Sequence, residues 1–199
     1  MALSITPQQV RDLRDRTNAG VMDCKRALTD AEGDMDKAIE LLRERGIAQA
    51  AKRETRKAVE GHIGHYIHLG GKIGVLVEVN CETDFVARTP DFAEFAHEVA
   101  LQIASLDADY VTREDVPPEV IEREKEIYRT QAQQEGKPEK VLARIAEGKL
   151  EKFFKDACLM EQPYIRDPDK TIEDLRKDLA GQIGENVVVR RFVRFQVGQ

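Results

Sequence analysis

No stretch of this 199-residue sequence approaches the roughly eighteen consecutive apolar residues that a membrane-spanning helix requires. The opening MALSITPQQVRDLRDR also lacks the hydrophobic run of a signal peptide, so an integral membrane protein is excluded and a cytoplasmic location is expected. Cysteine is scarce. Cys24, Cys81 and Cys158 are odd in number and show no CxxC spacing, which suits free thiols in a reducing compartment. A basic surplus is missing too: the net charge is −6, so direct contact with nucleic acid is not expected.

The motifs of chemistry are equally sparse. Neither GxGxxG nor GxxxxGK[ST] occurs, so no loop is built to cradle phosphates, and GxSxG is absent. His62, His65 and His68 follow an H-x2-H-x2-H spacing that would stack three ligands on a helix. Their surroundings, GHIGHYIHLGG, are glycine-broken and β-branched and read as strand, which turns His65 away from the other two. His97-Glu98 opens an HExxH pattern that fails at Leu101. No enzyme, metal site or cofactor is expected, and a histidine-based metal hydrolase is a distant alternative.

What is present is a globular composition, 41% hydrophobic and 34% charged, sufficient for a small domain joined to a medium one. Residues 1–46 read as three short helices. Thr6-Pro7-Gln8-Gln9 forms a capping-box pattern, Asn18 and Gly20 mark a turn, and Asp34 can cap a third helix that Gly46 closes. Residues 47–60, IAQAAKRETRKAVE, read as an exposed connecting helix. Between Arg43 and Lys57 lie six basic residues against two acidic ones, so an adaptor docking on ribosomal RNA is the rival reading.

In residues 61–199 the period changes from 3.6 to 2. Residues 62–69 and 72–80 flank Gly70-Gly71 as a hairpin, with Ile73, Val75, Val77 and Val79 facing one way. Helical patterns follow over 91–106, after Pro117-Pro118, around 139–146 and 150–158, and from a Thr171 cap to Ile183. Residues 186–197 alternate as a final strand, with Val187, Val189, Val193, Phe195 and Val197 on one side, and pair with the hairpin. Arg191 falls on that apolar side, where a buried pairing or a subunit contact would explain it; Arg190 and Arg194 have no assigned role. The fold class is α+β: a three-helix module, a linker helix and a small antiparallel sheet covered by helices on one face.

Two stretches carry more than fold. In Thr17–Lys25, TNAGVMDCK, a turn presents Val21 and Met22 at a helix start, either as bundle core or as an apolar tip. In Cys81–Arg88, CETDFVAR, Phe85 and Val86 follow a buried strand, either capping the core or forming a wedge for a partner.

At these residues the chain resembles the elongation factor Ts family. Leu13 to Leu28, LRDRTNAGVMDCKRAL, matches the family's L-R-x-x-T-G-A-G-M-M-D-C-K-K-A-L, with Asn18 for Gly and Val21 for Met. Asn80 to Ala87, NCETDFVA, meets the second signature, and IGENVVVRRFVRF matches near the C-terminus. The resemblance implies a ubiquitin-associated-like N-terminal domain (1–46), a connecting helix (47–60) and an α+β core (61–199) that pairs as a homodimer. It also implies a guanine-nucleotide exchange factor for elongation factor Tu in translation. By position, Leu13, Val21, Met22 and Lys25 would touch the partner's GTPase domain. Thr83, Asp84, Phe85 and Val86 would disturb its magnesium site.

Overall fold

The computed structural model describes residues 5–17 and 19–198, with the side chains of 47–52 left aside. Asn18 lies outside the described residues. The first three helices are α1 (Pro7–Thr17), α2 (Val21–Asp30) and α3 (Met35–Arg53). The Thr6 amide donates to Gln9 Oε1 (2.9 Å) and the Gln9 amide to Thr6 Oγ1 (3.2 Å), which completes the capping box. Asp34 caps α3 by accepting from the amides of Asp36 and Lys37, both at 3.1 Å. Leu13, Cys24, Ala27, Leu28, Ala31 and Ala38 close a small core of their own.

The expected break at Gly46 is not made. Helix α3 continues to Arg53, so the connecting helix is its distal half, and Gly46 is not among the positive-φ glycines. An isolated glycine costs a helix about 1 kcal/mol, too little to end it without a left-handed turn or a competing cap. The end of α3 is tied to the C-terminal region instead. Arg176, almost fully buried, pairs with Glu54 (2.9 Å) and Glu173 (2.7 Å) and donates to the Val187 carbonyl (3.0 Å).

The larger body begins with β1 (Glu60–Ile67) and β2 (Ile73–Cys81), then a one-turn helix α4 (Asp84–Ala87) and the long α5 (Pro90–Leu106). The hairpin loop is longer than two residues: the His68 amide donates to the Ile73 carbonyl, and Gly70 and Gly71 both take positive φ, 90° and 68°. Next come α6 (Pro118–Gln134) and α7 (Glu139–Ala157), which pack on each other as a helical hairpin. Helix α7 runs unbroken through Gly148, where two shorter helices were expected. A short ribbon, β3 (Pro163–Tyr164) with β4 (Asp167–Thr171), was not evident in the sequence. Helix α8 (Ile172–Ile183) starts at a Thr171/Asp174 capping box, and β5 (Val188–Gln196) closes the chain.

The main sheet is antiparallel in the order β1-β2-β5, so the last strand joins the early hairpin as expected. Val75, Val77 and Val79 pack inward against Phe92, Phe95, Ala96, Val99 and Ile103 of α5, with Ile172 and Leu179 of α8. The helical pattern over 91–106 sets Phe92, Phe95, Val99, Ile103 and Leu106 on one face, and all but Leu106, the last residue of α5, are buried. Gly64 of β1 is a contact point: a Cβ there would lie 2.4 Å from the Ala96 carbonyl oxygen, so its absence lets α5 close on the strand.

A β-bulge changes the reading of β5. Glu78 pairs with Arg191 while Val79 pairs with Val189, which leaves Arg190 as the extra residue. Alternation therefore slips by one after Val189. Phe192 turns in, while Val193, Phe195 and Val197 turn out, contrary to the single apolar side expected. Arg191 is moved to the outer face, where it pairs with Glu78 at 2.7 Å. Arg194 is turned inward, its side chain 12% exposed and paired with Asp107 at 3.0 Å. The outer face carries matched rows: Ile63, Glu78 and Arg191; His65, Leu76 and Val193; Ile67, Gly74 and Phe195. Its apolar members are all exposed. No helix among the described residues is long and apolar enough to cross a membrane.

Candidate functional site

The inward face of strand β2 is buried through its last residue, Cys81, and the strand delivers the chain directly into the turn that carries Thr83 to Val86. Thr83 is extended (φ −128°, ψ 152°) and caps α4, its hydroxyl oxygen accepting from the Val86 amide. Val86 packs against the main core and Ala87 is buried, so the C-terminal half of this turn is anchored. Thr89 then caps α5 and donates through Oγ1 to the Val86 carbonyl at 2.8 Å. With one side of the turn committed inward, its other side must face water. Phe85 is 82% exposed, and Asp84 pairs with Arg88 at 2.9 Å beside it. The reading of Phe85 as a cap on the core is therefore overturned: Val86 and Ala87 take the inward side of the single turn and leave Phe85 on the outward one.

The N-terminal side of the turn is held from far away in sequence. Glu185 Oε2 accepts from the amides of Glu82 and Thr83, both at 3.0 Å, and its Oε1 accepts from Thr83 Oγ1 at 2.6 Å. The Cys81 thiol donates to the Thr83 carbonyl at 3.2 Å. Burial, with the Glu185 carboxylate adding to it, pushes that thiol up to about 11. Asn186, buried, donates its amide to Glu82 Oε1 (2.7 Å) and its side chain to the carbonyls of Glu54 (3.3 Å) and Arg56 (2.9 Å). Sequence reasoning attached no role to Glu82, Glu185 or Asn186. Glu82 lies in the NCETDFVA run and Glu185 and Asn186 in the IGEN run, but neither run by itself shows that the two meet.

In the N-terminal module, α2 begins at Val21 directly after Gly20 and has no side-chain cap. Val21 (50%) and Met22 (63%) stand exposed on its first turn, with Lys25 exposed one turn on. Their reading as bundle core is overturned, because Cys24, Ala27 and Leu28 already fill the face of α2 that turns inward. Leu13 is fully buried beneath α2 and offers no surface, so it supports the patch rather than forming it. Among the described residues no three His, Cys, Asp or Glu side chains are grouped to hold a metal ion. His65 lies on the outer sheet face opposite Leu76, and its carbonyl meets the His97 ring at 3.2 Å.

By class, then, this is an α+β protein that carries two exposed apolar tips, each on a well-packed support. Comparison with known proteins narrows the class. A family model described as Elongation factor TS matches residues 8–199. The chain is 59% identical over 195 residues to Elongation factor Ts of Carboxydothermus hydrogenoformans, covering 98% of this chain and 90% of that protein. It is 57% identical over 195 residues to Elongation factor Ts of Caldanaerobacter subterraneus subsp. tengcongensis, covering 98% of each. The relative of the same name from Moorella thermoacetica is also 57% identical, over 98% of this chain and 96% of its own length. The chain belongs to the elongation factor Ts family of translation elongation factors.

Proposed function

We propose that this protein is a guanine-nucleotide exchange factor that binds elongation factor Tu carrying GDP and promotes release of the nucleotide. The observation that carries the reading is Phe85, a phenyl ring held out in water by a turn whose other side is locked into the core. GDP on a GTPase is held by a phosphate loop and a Mg2+ that offsets phosphate charge, so a wedge that shifts elements around the ion weakens that hold. Phe85 is the wedge. Asp84 supports the displaced arrangement, and Thr83 and Val86 set the turn. Val21, Met22 and Lys25 of the N-terminal, ubiquitin-associated-like module grip the partner's GTPase domain, with Leu13 beneath them. Coupling between factor and GDP is reciprocal, so each tenfold loss of GDP affinity needs about 1.4 kcal/mol from the interface. Exchange makes and breaks no covalent bond, so the reading requires no cofactor and no catalytic residue in this chain.

The core also pairs with a second copy through the outer face of its sheet. Ile63, Ile67, Leu76, Val193 and Phe195 lie in adjacent rows there, and a hollow of about 250 Å³ opens over Gly74 between Ile67 and Phe195. A sheet face in water is ordinarily mostly polar, and on this one Glu78, Arg191 and His65 stand among five exposed apolar side chains. The rival RNA-binding reading loses support from the basic stretch itself. Arg45 pairs with Asp30, Arg53 donates to the Ala180 carbonyl, and Arg56 pairs with Glu82, so half of the six cations are engaged within the chain.

The test is release of a fluorescent GDP analogue from elongation factor Tu, with this protein at about a tenth of the partner's concentration. Complete, fast release establishes turnover. Release at the spontaneous rate refutes the exchange reading, and a steep salt dependence of RNA binding would then put the adaptor first.

A further inference from the structure

We infer that Glu185 is a positioning residue for exchange: it holds the Thr83–Val86 turn in the pose from which Phe85 acts, a role that rests on the function proposed above. A one-turn helix is marginal by itself, because nucleation fixes several dihedrals for one hydrogen bond. Val86 and Ala87 anchor the C-terminal half of α4 in the core and Cys81 ends β2 inside it, but Glu82 and Thr83 between them carry no apolar side chain into the core, so their backbone needs a polar anchor. Glu185 supplies that anchor. One carboxylate oxygen takes both amide donors at 3.0 Å and the other takes the Thr83 hydroxyl at 2.6 Å, so a single side chain fixes both backbone and cap. The Thr83 hydroxyl, with its proton committed to Glu185, presents its lone pair to the Val86 amide.

The carboxylate is itself delivered by rigid parts. Gly184 ends α8 in the left-handed region (φ 79°), its amide bonded to the Ala180 carbonyl, and this reverses the chain toward β2. Asn186 is buried behind it, bonded to Glu82 and to the carbonyls of Glu54 and Arg56. The Phe85 tip is thereby referenced to α8, β5 and the end of α3 as well as to its own strand. Such a support matters for a wedge, since a tip free to swing would spend interface energy on ordering itself.

The experiment compares Glu185→Ala, Glu185→Asp and Glu185→Gln with the unaltered protein in GDP release from elongation factor Tu. It takes both the maximal rate and the half-saturating concentration, and it repeats the alanine change in a Phe85→Ala background. Glu185→Ala is expected to lower the maximal rate about tenfold or more with little change in half-saturation. Glu185→Asp retains the charge but is one methylene short, and it should resemble alanine. Glu185→Gln retains the length and should recover to within about threefold. In the Phe85→Ala background, Glu185→Ala should change the rate by less than about twofold, because the residue it positions is gone. Amide hydrogen exchange at Glu82 and Thr83 follows the turn directly, and thermal unfolding checks each variant for folding.

Full exchange by Glu185→Ala with those amides deprotected would overturn the inference while leaving the Phe85 reading intact. An equal, additive loss in both backgrounds would overturn it as well, since Glu185 would then act independently of the tip. If Phe85→Ala alone leaves exchange unchanged, the proposed function of the tip fails first and this inference falls with it. Should Glu185→Ala not fold, the contrast between the Asp and Gln variants decides the matter.

Discussion

Truncating Phe85 to alanine should separate function from stability more cleanly than any other single change in this protein. The ring is 82% exposed, so the free protein loses almost no buried surface when it is removed. Surface substitutions of this kind shift unfolding by no more than about 0.5 kcal/mol. The same ring buried in a partner is a different quantity. A phenylalanine carries about 200 Å² of surface, and transferring most of the exposed part at about 25 cal/mol/Å² is worth about 4 kcal/mol. Alanine retains part of that contact, which leaves a loss of about 2–3 kcal/mol, or about 30- to 150-fold in exchange at limiting factor concentration. The assay is release of a fluorescent GDP analogue, with thermal unfolding recorded on the same preparation. Exchange reduced less than about threefold would refute the wedge. A parallel collapse of thermal stability would also refute it, because it would show the ring to be part of the core after all.

Two further outcomes follow from the same geometry. Phe195→Asp places a charge among the exposed apolar side chains of the outer sheet face, beside the hollow over Gly74, so sedimentation should show a dimer for the unaltered protein and a monomer for the variant, with folding retained because the side chain already faces water; a monomer in both would sink the pairing. Burial, reinforced by Glu185 and by Glu161 respectively, pushes the Cys81 and Cys158 thiols from an ordinary 9.0 up to about 11. As pH rises, the unfolded chain loses these protons first, so stability should be undiminished by the thiols below about pH 9 and should fall between about pH 9 and 11. Urea unfolding at several pH values should show that fall, smaller in Cys158→Ala. An equal fall in the variant would count against the assignment.

Local rules were legible without any structure. Thr6–Gln9, Asp34 and Thr171 announced helix starts because a cap is chemistry within three residues of its target. Val75, Val77 and Val79 announced the buried face of β2 because side chains alternate along a strand whatever it pairs with. The NCETDFVA and LRDRTNAGVMDCKRAL runs marked both tips. Whether Phe85, Val21 and Met22 lay inside or outside was not decidable from these patterns, since an apolar residue at a turn fits either, and only the filling of the neighbouring core by Val86, Ala87, Cys24, Ala27 and Leu28 excluded them from it.

What tertiary structure alone decided was long-range. The bulge at Arg190 depends on how β5 seats against β2, and by slipping the alternation once it sent Arg191 out, Arg194 in and Phe195 onto the open face. Gly46 and Gly148 could end a helix or lie within one, and the helices run through both because neither glycine is required to turn left-handed. Glu185 reaches Thr83 across 102 positions of chain. No periodicity spans that distance: a hydrogen bond between residues so far apart exists only once the sheet, α5 and α8 have closed on a common core and brought their ends together.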